Sequence, residues 1–244
     1  MPVPSSSAPP ESPASTATER AAGLAGLLTA EVIFGALLFV AAFGVFFYLT
    51  RVVFREHSET FDNWGFAQMD RLNAAVPGLE WWVENVITRF GSAWFFVPVS
   101  VLTPWLLYRA GYIRYAVELL VSMAGGFILN QLLKLWFHRD RPTTALIHQY
   151  GLSFPSGHSM MSIAFYGCLA WIAVQHGRRW GQAVGLVIFA LLIGLTRIFL
   201  HVHYPTDVVA GFAAGAAWLV LLRAGIRVLW KEKPIPGEAA TVSE

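Results

Sequence analysis

WGQAVGLVIFALLIGLTRIFLHVHYPTD, residues 180–207, combines the two features that decide the fold. It opens with an apolar run of about 20 residues, the length that an α-helix needs to cross the hydrocarbon core of a bilayer. The run ends in a string of basic and histidine side chains that begins at Arg197. Pro205 follows, and proline is favoured as the first residue of a helix. The stretch therefore predicts two membrane-spanning helices joined by a short polar hinge.

The composition of the whole chain indicates a polytopic membrane protein. Of its 244 residues, 56% are hydrophobic and 13% are charged, and the mean hydropathy is +0.54. A soluble domain carries about 25% charged residues. The net charge of +2 is small and gives no support to nucleic-acid binding. The single cysteine, Cys168, excludes both an intramolecular disulfide and a zinc site built from cysteines.

Apolar runs predict an all-α fold with six transmembrane helices. Their expected bounds are 24–48, 93–108, 112–137, 158–175, 180–200 and 205–230. Between the first two runs, residues 51–89 mix charges of both signs with aromatic side chains. That mixture is typical of a helical segment that lies at the membrane interface. Glu118, inside the third run, is interpreted as a helix–helix contact.

The ends of the chain and the distribution of positive charge predict its organisation in the membrane. Residues 1–20, rich in Pro, Ser, Ala and Thr, are expected to be a disordered tail, 21–232 one membrane domain, and 233–244 a C-terminal tail. Six crossings place both termini on one side, which collects nine Lys and Arg residues against eight on the other. Three of those eight belong to the motifs described next. Because positive charge accumulates on the inside, the termini are predicted to be cytoplasmic.

Three short strings on the opposite, non-cytoplasmic side collect the polar residues that can carry chemistry: Lys134–Pro142, Pro155–His158 and Arg197–Asp207. In the first, Lys134 and Arg141 are seven residues apart, so they are expected on the same face of a helix that Pro142 ends. Two cations there suit an anion such as phosphate. Taken alone, the string fits interfacial side chains whose charged ends extend toward water better than it fits an anion site.

The second string, PSGH, is typical of a helix N-terminus. Ser156 is a suitable N-cap, and the free N–H groups of a first turn with the small Gly157 can hold an anion. His158 would stand beside that anion as a proton donor. On its own this string is a weak signal, because the histidine could simply cap the helix.

The third string pairs a histidine with a carboxylate. His203 and Asp207 are four residues apart, so they can meet across the first turn of the helix that begins at Pro205. A carboxylate bonded to one ring nitrogen fixes the tautomer and leaves the other nitrogen free as a nucleophile or base. His201 is expected to face away in a structural role. Four polar residues between the first two strings could shape a headgroup site, although solvation in the loop is the preferred interpretation of each: His138, Arg139, Asp140 and His148.

Together, the strings resemble the three-part signature of the type 2 phosphatidic acid phosphatase and vanadium haloperoxidase superfamily, in order and in spacing. The chain reads Lys-x6-Arg-Pro over 134–142, Pro-Ser-Gly-His over 155–158 and Arg-x5-His-x3-Asp over 197–207. Thr196 stands where the third motif usually has serine, which preserves the hydroxyl group. The six-helix layout extends the resemblance, to the membrane-bound lipid phosphatases, over nearly all of the chain after the N-terminal tail.

The resemblance implies a role for each motif residue. The expected catalytic residues are His203, Asp207 and His158. His203 would attack phosphorus to form a phosphohistidine, and Asp207 would orient the His203 ring. His158 would protonate the leaving oxygen and then activate water. The phosphoryl oxygens would be held by Lys134, Arg141, Ser156, the Gly157 amide and Arg197. No metal or other cofactor is expected, because these basic side chains supply the positive charge that a metal would supply.

The resemblance also implies a lipid phosphate as substrate, of the phosphatidic acid, phosphatidylglycerol phosphate or undecaprenyl diphosphate type, with the bilayer as the second partner. The segment 61–82 is interpreted as a guide for the lipid tail.

Other interpretations of the function stay open. A haloperoxidase would use a similar site, although those proteins are soluble. A metal-dependent hydrolase would use His201, His203 and Asp207 as ligands, and a non-enzymatic lipid-phosphate binding or transport protein would leave the pair of His203 and Asp207 without a role.

Overall fold

The structure is a computed structural model that describes residues 13–56, 58–177 and 179–230. Within these ranges the chain forms nine α-helices and no strand, which confirms the all-α prediction. The helices are α1 (Pro13–Arg51), α2 (Glu59–Ala75), α3 (Leu79–Trp82), α4 (Ala93–Arg109), α5 (Ile113–Phe137), α6 (Gly157–Ser162), α7 (Cys168–Gln175), α8 (Trp180–Phe199) and α9 (Pro205–Leu229). Residues 1–12 and the predicted tail 233–244 lie outside the described residues, and α1 begins inside the segment 1–20 that was expected to be a tail.

Six helical stretches in the described part are long and apolar enough to cross a membrane, as the sequence predicted. They are Val32–Glu56, Leu79–Arg109, Ile113–Phe137, Gly157–Gln175, Trp180–Phe199 and Pro205–Leu229. The second begins earlier than the predicted range 93–108, because helical turns over residues 79–91 precede α4. The predicted interfacial segment 51–89 is therefore divided, with α2 at its centre and its last part joined to the second span.

Helix α2 is amphipathic and packs against the beginning of α9. Phe61 and Trp64 on one face are 45% and 59% exposed, whereas Asp62 and Gly65 on the other face are buried. A Cβ at Gly65 would lie 2.4 Å from Cγ of Pro205, the first residue of α9. Since Gly65 has no side chain, α2 can lie directly on the turn that carries the third motif.

Two more glycines bring α9 against α6. A Cβ at Gly211 would lie 2.6 Å from the main-chain oxygen of Ser156, and a Cβ at Gly215 would lie 2.9 Å from that of Met160. Glycine is the residue that permits so close an approach of two backbones. The N–H of Ser156 also donates to the main-chain oxygen of Asp207 at 2.9 Å. The second and third motifs are therefore fixed to each other through their backbones.

A buried ion pair joins the helices near the opposite end of the bundle. The Glu118 carboxylate in α5 accepts a hydrogen bond from Arg223 in α9, which confirms the predicted helix–helix contact. The Arg223 guanidinium lies 3.9 Å from the ring centroid of Trp171 in α7, a cation–π contact. Glu118 is in the second turn of α5 and Lys134 is in its last turn, so about 24 Å of helix separate this pair from the motifs.

Candidate active site

The three motifs converge at one end of the helix bundle. Lys134 lies in the last turn of α5, His158 in the first turn of α6, and His203 in the hinge between α8 and α9. Arg141 Nη1 lies 3.2 Å from His203 Nε2, so the first and third motifs are in contact. The convergence follows from topology, because each motif stands where a span meets the same face of the membrane.

His203 and Asp207 form a buried pair, as their spacing predicts. His203 Nδ1 lies 3.4 Å from Asp207 Oδ2, and the same oxygen accepts a hydrogen bond from the N–H of Tyr204 at 3.0 Å. Ser153, which the sequence did not single out, donates its hydroxyl to Asp207 Oδ2 and lies 3.3 Å from His203 Nδ1. A carboxylate beside Nδ1 favours the tautomer with a proton there, so Nε2 carries the lone pair, which accepts a hydrogen bond from Arg141 Nη1.

Arg141 lies beyond the helix, so the prediction that it shares a helical face with Lys134 is wrong. Helix α5 ends at Phe137, and His138 adopts a left-handed conformation with φ of 46° that turns the chain away. Arg141 nevertheless reaches the site, because it extends from the following loop toward His203. It also donates to three main-chain oxygens, those of Tyr150, Gly151 and Val202.

Lys134 and Arg141 together hold the loop that carries Ser153. Lys134 Nζ donates to the main-chain oxygens of Leu152 and Ser153, and Arg141 binds the two residues before them. The cations therefore have a structural task in addition to any contact with substrate: they keep the Ser153 hydroxyl against Asp207.

Burial and positive charge hold the pKa of His203 well below its ordinary value of 6.5. The cations that contribute are Arg141, Lys134 and Arg197, in that order. Burial also lowers the pKa of Arg141, although the Asp207 charge counteracts part of that effect. A histidine with a lowered pKa is unprotonated at neutral pH, which is the state that a nucleophile requires.

Arg197 is the most deeply buried of the three motif cations and has unused hydrogen-bonding capacity. Its Nη1 donates to Thr88 Oγ1 at 2.6 Å, while Nε and Nη2 are buried and have no hydrogen-bond partner within the described part of the chain. Buried donors without partners are costly, so these two groups point to an anionic ligand. Arg197 and His158 line one cavity of about 910 Å³ that extends along residues 84–95.

The PSGH motif opens α6 as the sequence predicts. Ser156 is the N-cap, and its hydroxyl accepts a long hydrogen bond of 3.5 Å from the N–H of Ser159. Asn130 Nδ2 donates to the main-chain oxygen of Pro155 at 3.4 Å, which ties this turn to α5. The free N–H groups of the first turn, with Gly157 among them, provide a positive helix end beside His158.

Comparison with known proteins identifies the family. The sequence profile of the PAP2 superfamily matches residues 115–231. A phosphatidylglycerophosphatase B from Bacillus subtilis (strain 168) is 32% identical over 164 residues, which cover 62% of this chain and 78% of that protein. The chain belongs to the PAP2 superfamily. A lipid A 1-phosphatase from Rhizobium johnstonii is 32% identical over 168 residues, 57% of this chain and 65% of that protein.

A solved structure agrees with this PAP2 assignment. It is described as the crystal structure of a transmembrane PAP2 type phosphatidylglycerolphosphate phosphatase from Bacillus subtilis, with a TM-score of 0.67 and 27% identity. The alignment covers 80% of this chain and 98% of the other. This chain is therefore an integral membrane phosphatase of the PAP2 superfamily, because its described part contains six helices of membrane-spanning length and its relatives are phosphatases.

Arg139 is an unexpected part of the PAP2 site, and the prediction that it is a solvated loop residue is wrong. Its side chain is only 14% exposed. Nη1 donates to Thr206 Oγ1 at 2.7 Å and to Asp207 Oδ1 at 2.6 Å. Nη2 donates to Ser58 Oγ at 3.1 Å and to Asp62 Oδ2 at 2.8 Å. Ser58 and Asp62 lie outside the part of the chain that matches the PAP2 profile.

The remaining polar residues near the motifs behave as expected. Those exposed in the loop are His138, Asp140 and His148. His201 Nε2 lies 3.1 Å from Asp70 Oδ1, its Nδ1 lies 3.2 Å from Thr144 Oγ1, and its ring stacks on Phe66. Both ring nitrogens are therefore engaged away from His203, which does not support His201 as a metal ligand shared with His203 and Asp207.

Proposed function

We propose that this protein hydrolyses a lipid phosphate or lipid diphosphate in two steps through a phosphohistidine at His203. The observation that carries the proposal is the arrangement of the His203 ring. Its Nδ1 faces the carboxylate of Asp207, and its Nε2 lies beside the guanidinium of Arg141. A nitrogen lone pair next to a cation suits attack on a phosphorus atom whose oxygens that cation can bind.

In the first step, the lone pair of His203 Nε2 attacks phosphorus and the bond to the ester or anhydride oxygen breaks. That oxygen leaves with the bonding electrons and takes a proton from His158. In the second step, neutral His158 takes a proton from water, and the oxygen of that water attacks phosphorus. The N–P bond breaks with its electrons returning to His203, and inorganic phosphate is released.

The phosphoryl oxygens have several donors available at this end of the bundle. Arg197 offers its unpartnered Nε and Nη2, and the N-terminus of α6 offers main-chain N–H groups at Gly157. Arg141 and Lys134 add charge beside His203, and Ser156 adds a hydroxyl group. Donors fixed before the substrate binds stabilise the charge that develops in the transition state.

The cavity beside His158 supports a lipid on the leaving-group side of phosphorus. Because His158 lines it and is assigned the proton for the leaving oxygen, the alcohol or second phosphate would occupy this space. Its walls combine polar and aromatic side chains: Glu84, Asn85, Arg89, Gln149, Phe90, Trp94 and Phe95. Such a mixture suits the junction between a polar headgroup and a hydrocarbon chain. The relatives named above act on phosphatidylglycerophosphate and lipid A, both of which are membrane lipids.

We also propose that the termini are cytoplasmic and that the site faces the periplasm or the exterior, as the charge distribution predicts. Introducing His148→Cys tests this orientation, because residue 148 is exposed in the loop and the native Cys168 is buried. A membrane-impermeant maleimide should label it in intact cells. Labelling that requires permeabilised cells would reverse the orientation.

The decisive experiment is phosphate release by purified protein from a panel of lipid phosphates in detergent: phosphatidic acid, phosphatidylglycerol phosphate and undecaprenyl diphosphate. We expect turnover of at least one lipid, inhibition by vanadate, and loss of activity in His203→Ala with unchanged elution from a sizing column. His148→Ala, an exposed histidine in the adjoining loop, is the matched control. Normal turnover by His203→Ala would exclude the phosphohistidine mechanism, and binding without turnover by the wild type would favour a transport or binding protein.

A further inference from the structure

We propose that Asp62 and Arg139 are positioning residues, which hold the Asp207 carboxylate in the orientation that His203 requires and thereby make helix α2 part of the catalytic apparatus. The inference rests on the proposed function, in which His203 is the nucleophile. Its basis is a chain of contacts that connects α2, the loop before α6 and the first turn of α9.

The two oxygens of Asp207 have separate tasks. Oδ2 faces His203 Nδ1 and accepts hydrogen bonds from Ser153 and from the N–H of Tyr204. Oδ1 accepts from Arg139 Nη1 at 2.6 Å. With Oδ1 fixed in this way, the carboxylate cannot rotate without breaking a charge-assisted bond. Arg139 therefore determines which oxygen meets the histidine.

Asp62 fixes Arg139 in turn. Asp62 Oδ2 accepts from Arg139 Nη2 at 2.8 Å and from Ser58 Oγ at 2.7 Å. Asp62 Oδ1 accepts from the N–H and from the hydroxyl of Thr206, both at 2.9 Å. One carboxylate of α2 thus binds both the arginine and the residue next to Asp207. The guanidinium fork bridges two carboxylates, which an ammonium group cannot do in the same geometry.

The surroundings of Arg139 separate it from the phosphate-binding cations. Its guanidinium carbon lies 3.9 Å from the ring centroid of Tyr204, and both of its terminal nitrogens are bonded to protein groups. It is not among the residues that line the cavity at His158 and Arg197. Arg139 therefore acts on the reaction through Asp207 and not through the substrate.

Replacing either residue should lower kcat more than it changes KM. Arg139→Lys keeps the charge but loses the fork, and we expect kcat to fall about 10- to 100-fold with KM within about threefold of the wild type. Asp62→Asn is isosteric, and we expect kcat to fall about 5- to 30-fold, roughly the equivalent of one weakened hydrogen bond to a charged group. The matched controls are Arg71→Lys and Glu59→Gln, which change exposed side chains of α2.

The pH dependence gives a readout that a purely structural role would leave unchanged. The charged and titratable groups facing His203 come from four helices and a loop: Lys134 in α5, His158 in α6, Arg197 in α8, Asp207 in α9 and Arg141 between α5 and α6. Arg139 and Asp62 lie one contact further out, behind Asp207.

Arg139→Gln removes a positive charge, so the pKa of His203 should rise and the acid limb of kcat/KM should move to higher pH. Asp62→Asn removes a negative charge, so the same limb should move to lower pH.

The profiles should be compared with one substrate between pH 4 and pH 8, so that ionisation of the lipid phosphate is common to all variants. We expect the acid limbs of Arg139→Gln and Asp62→Asn to shift in opposite directions by about half a pH unit or more, and kcat to be reduced in both variants. Shifts in one direction, unchanged profiles, or a loss confined to KM would overturn the inference. If Arg139→Gln does not elute as a single species, the kcat values of Arg139→Lys and Asp62→Asn test the inference instead. The proposed function fails separately, if the wild type releases no phosphate or if His203→Ala remains active.

Discussion

The hydroxyl group of Ser153 donates a hydrogen bond to the Asp207 carboxylate, although the two residues are 54 positions apart. The contact brings a residue of the loop before PSGH into the pair formed by His203 and Asp207, because the same hydroxyl lies 3.3 Å from His203 Nδ1. Lys134 holds the main chain of this residue in place. The loop that carries Ser153 therefore lines the site.

Ser153→Ala should reduce the catalytic rate without preventing folding. The substitution removes one hydrogen bond to a buried carboxylate, which contributes about 1–2 kcal/mol, so kcat should fall about 5- to 30-fold. Steady-state phosphate release measures the effect. Thr143→Ala, which removes an exposed hydroxyl from the same loop, is the control and should have little effect. Equal rates for the two variants would show that Ser153 does not act on Asp207.

Asp207→Asn should be far more damaging than Ser153→Ala. An amide in place of the carboxylate leaves the tautomer of His203 unfixed and removes the charge that would balance the imidazole in the proposed phosphohistidine step. We expect kcat to fall about 10³-fold or more, as when the orienting carboxylate is lost from other histidine-based sites. Asp140→Asn makes the same change at an exposed loop position and should retain activity. A loss of less than about tenfold in Asp207→Asn would contradict the orienting role.

If His203 is the nucleophile, as proposed, the acid limb of the pH profile should lie below pH 6.5, because the pKa of His203 is lowered and a nucleophilic histidine is active only when unprotonated. Arg141→Gln removes the cation that contributes most to this lowering. The pKa of His203 should then rise toward its ordinary value, and the acid limb of kcat/KM should move to higher pH. The two profiles are compared with the same lipid. A variant that loses activity equally at every pH would show that Arg141 acts through the substrate or through the Ser153 loop, and not through the pKa of His203.

Arg223→Met should destabilise the protein while leaving the site intact. It leaves the buried Glu118 without its partner, at a cost of about 3 kcal/mol or a fall in Tm of about 6–12 °C in detergent. The double variant Glu118→Gln with Arg223→Met should recover much of that loss, because neither charge remains buried alone. Phosphate release at 25 °C per folded molecule should stay near that of the wild type. A double variant as unstable as Arg223→Met would argue against the ion pair as the cause.

Gly211→Ala should disturb the site through the backbone. Its Cβ would approach the main-chain oxygen of Ser156 to 2.6 Å, so α9 must move away from the PSGH turn. We expect a loss of about 1–3 kcal/mol in stability and a lower kcat. Gly225→Ala is the matched control in the same helix, where a new Cβ meets no atom within 4 Å. If both variants unfold at the same temperature and turn over equally, close packing at Gly211 has no role.

The sequence alone determined the class of fold and indicated most of the candidate site residues. Length and apolarity fixed six spans, because a helix must be about 20 apolar residues long to cross a bilayer. The four-residue spacing of His203 and Asp207 predicted their contact, since one helical turn brings such positions together. The end of α5 was harder to predict, because the backbone conformation of His138, and not a proline, stops the helix before Arg141.

Only the tertiary structure decided what lies behind those motifs. Arg139 looked like a solvated loop residue until α2 brought Asp62 to it across 77 residues of chain, and Ser153 carried no signal at all. Local periodicity relates residues within one helix, whereas these contacts depend on how separate helices and loops pack. The sequence therefore indicated which groups are candidates to react with a phosphate, and the packing of α2 and the loop against α9 decided which side chains contact them.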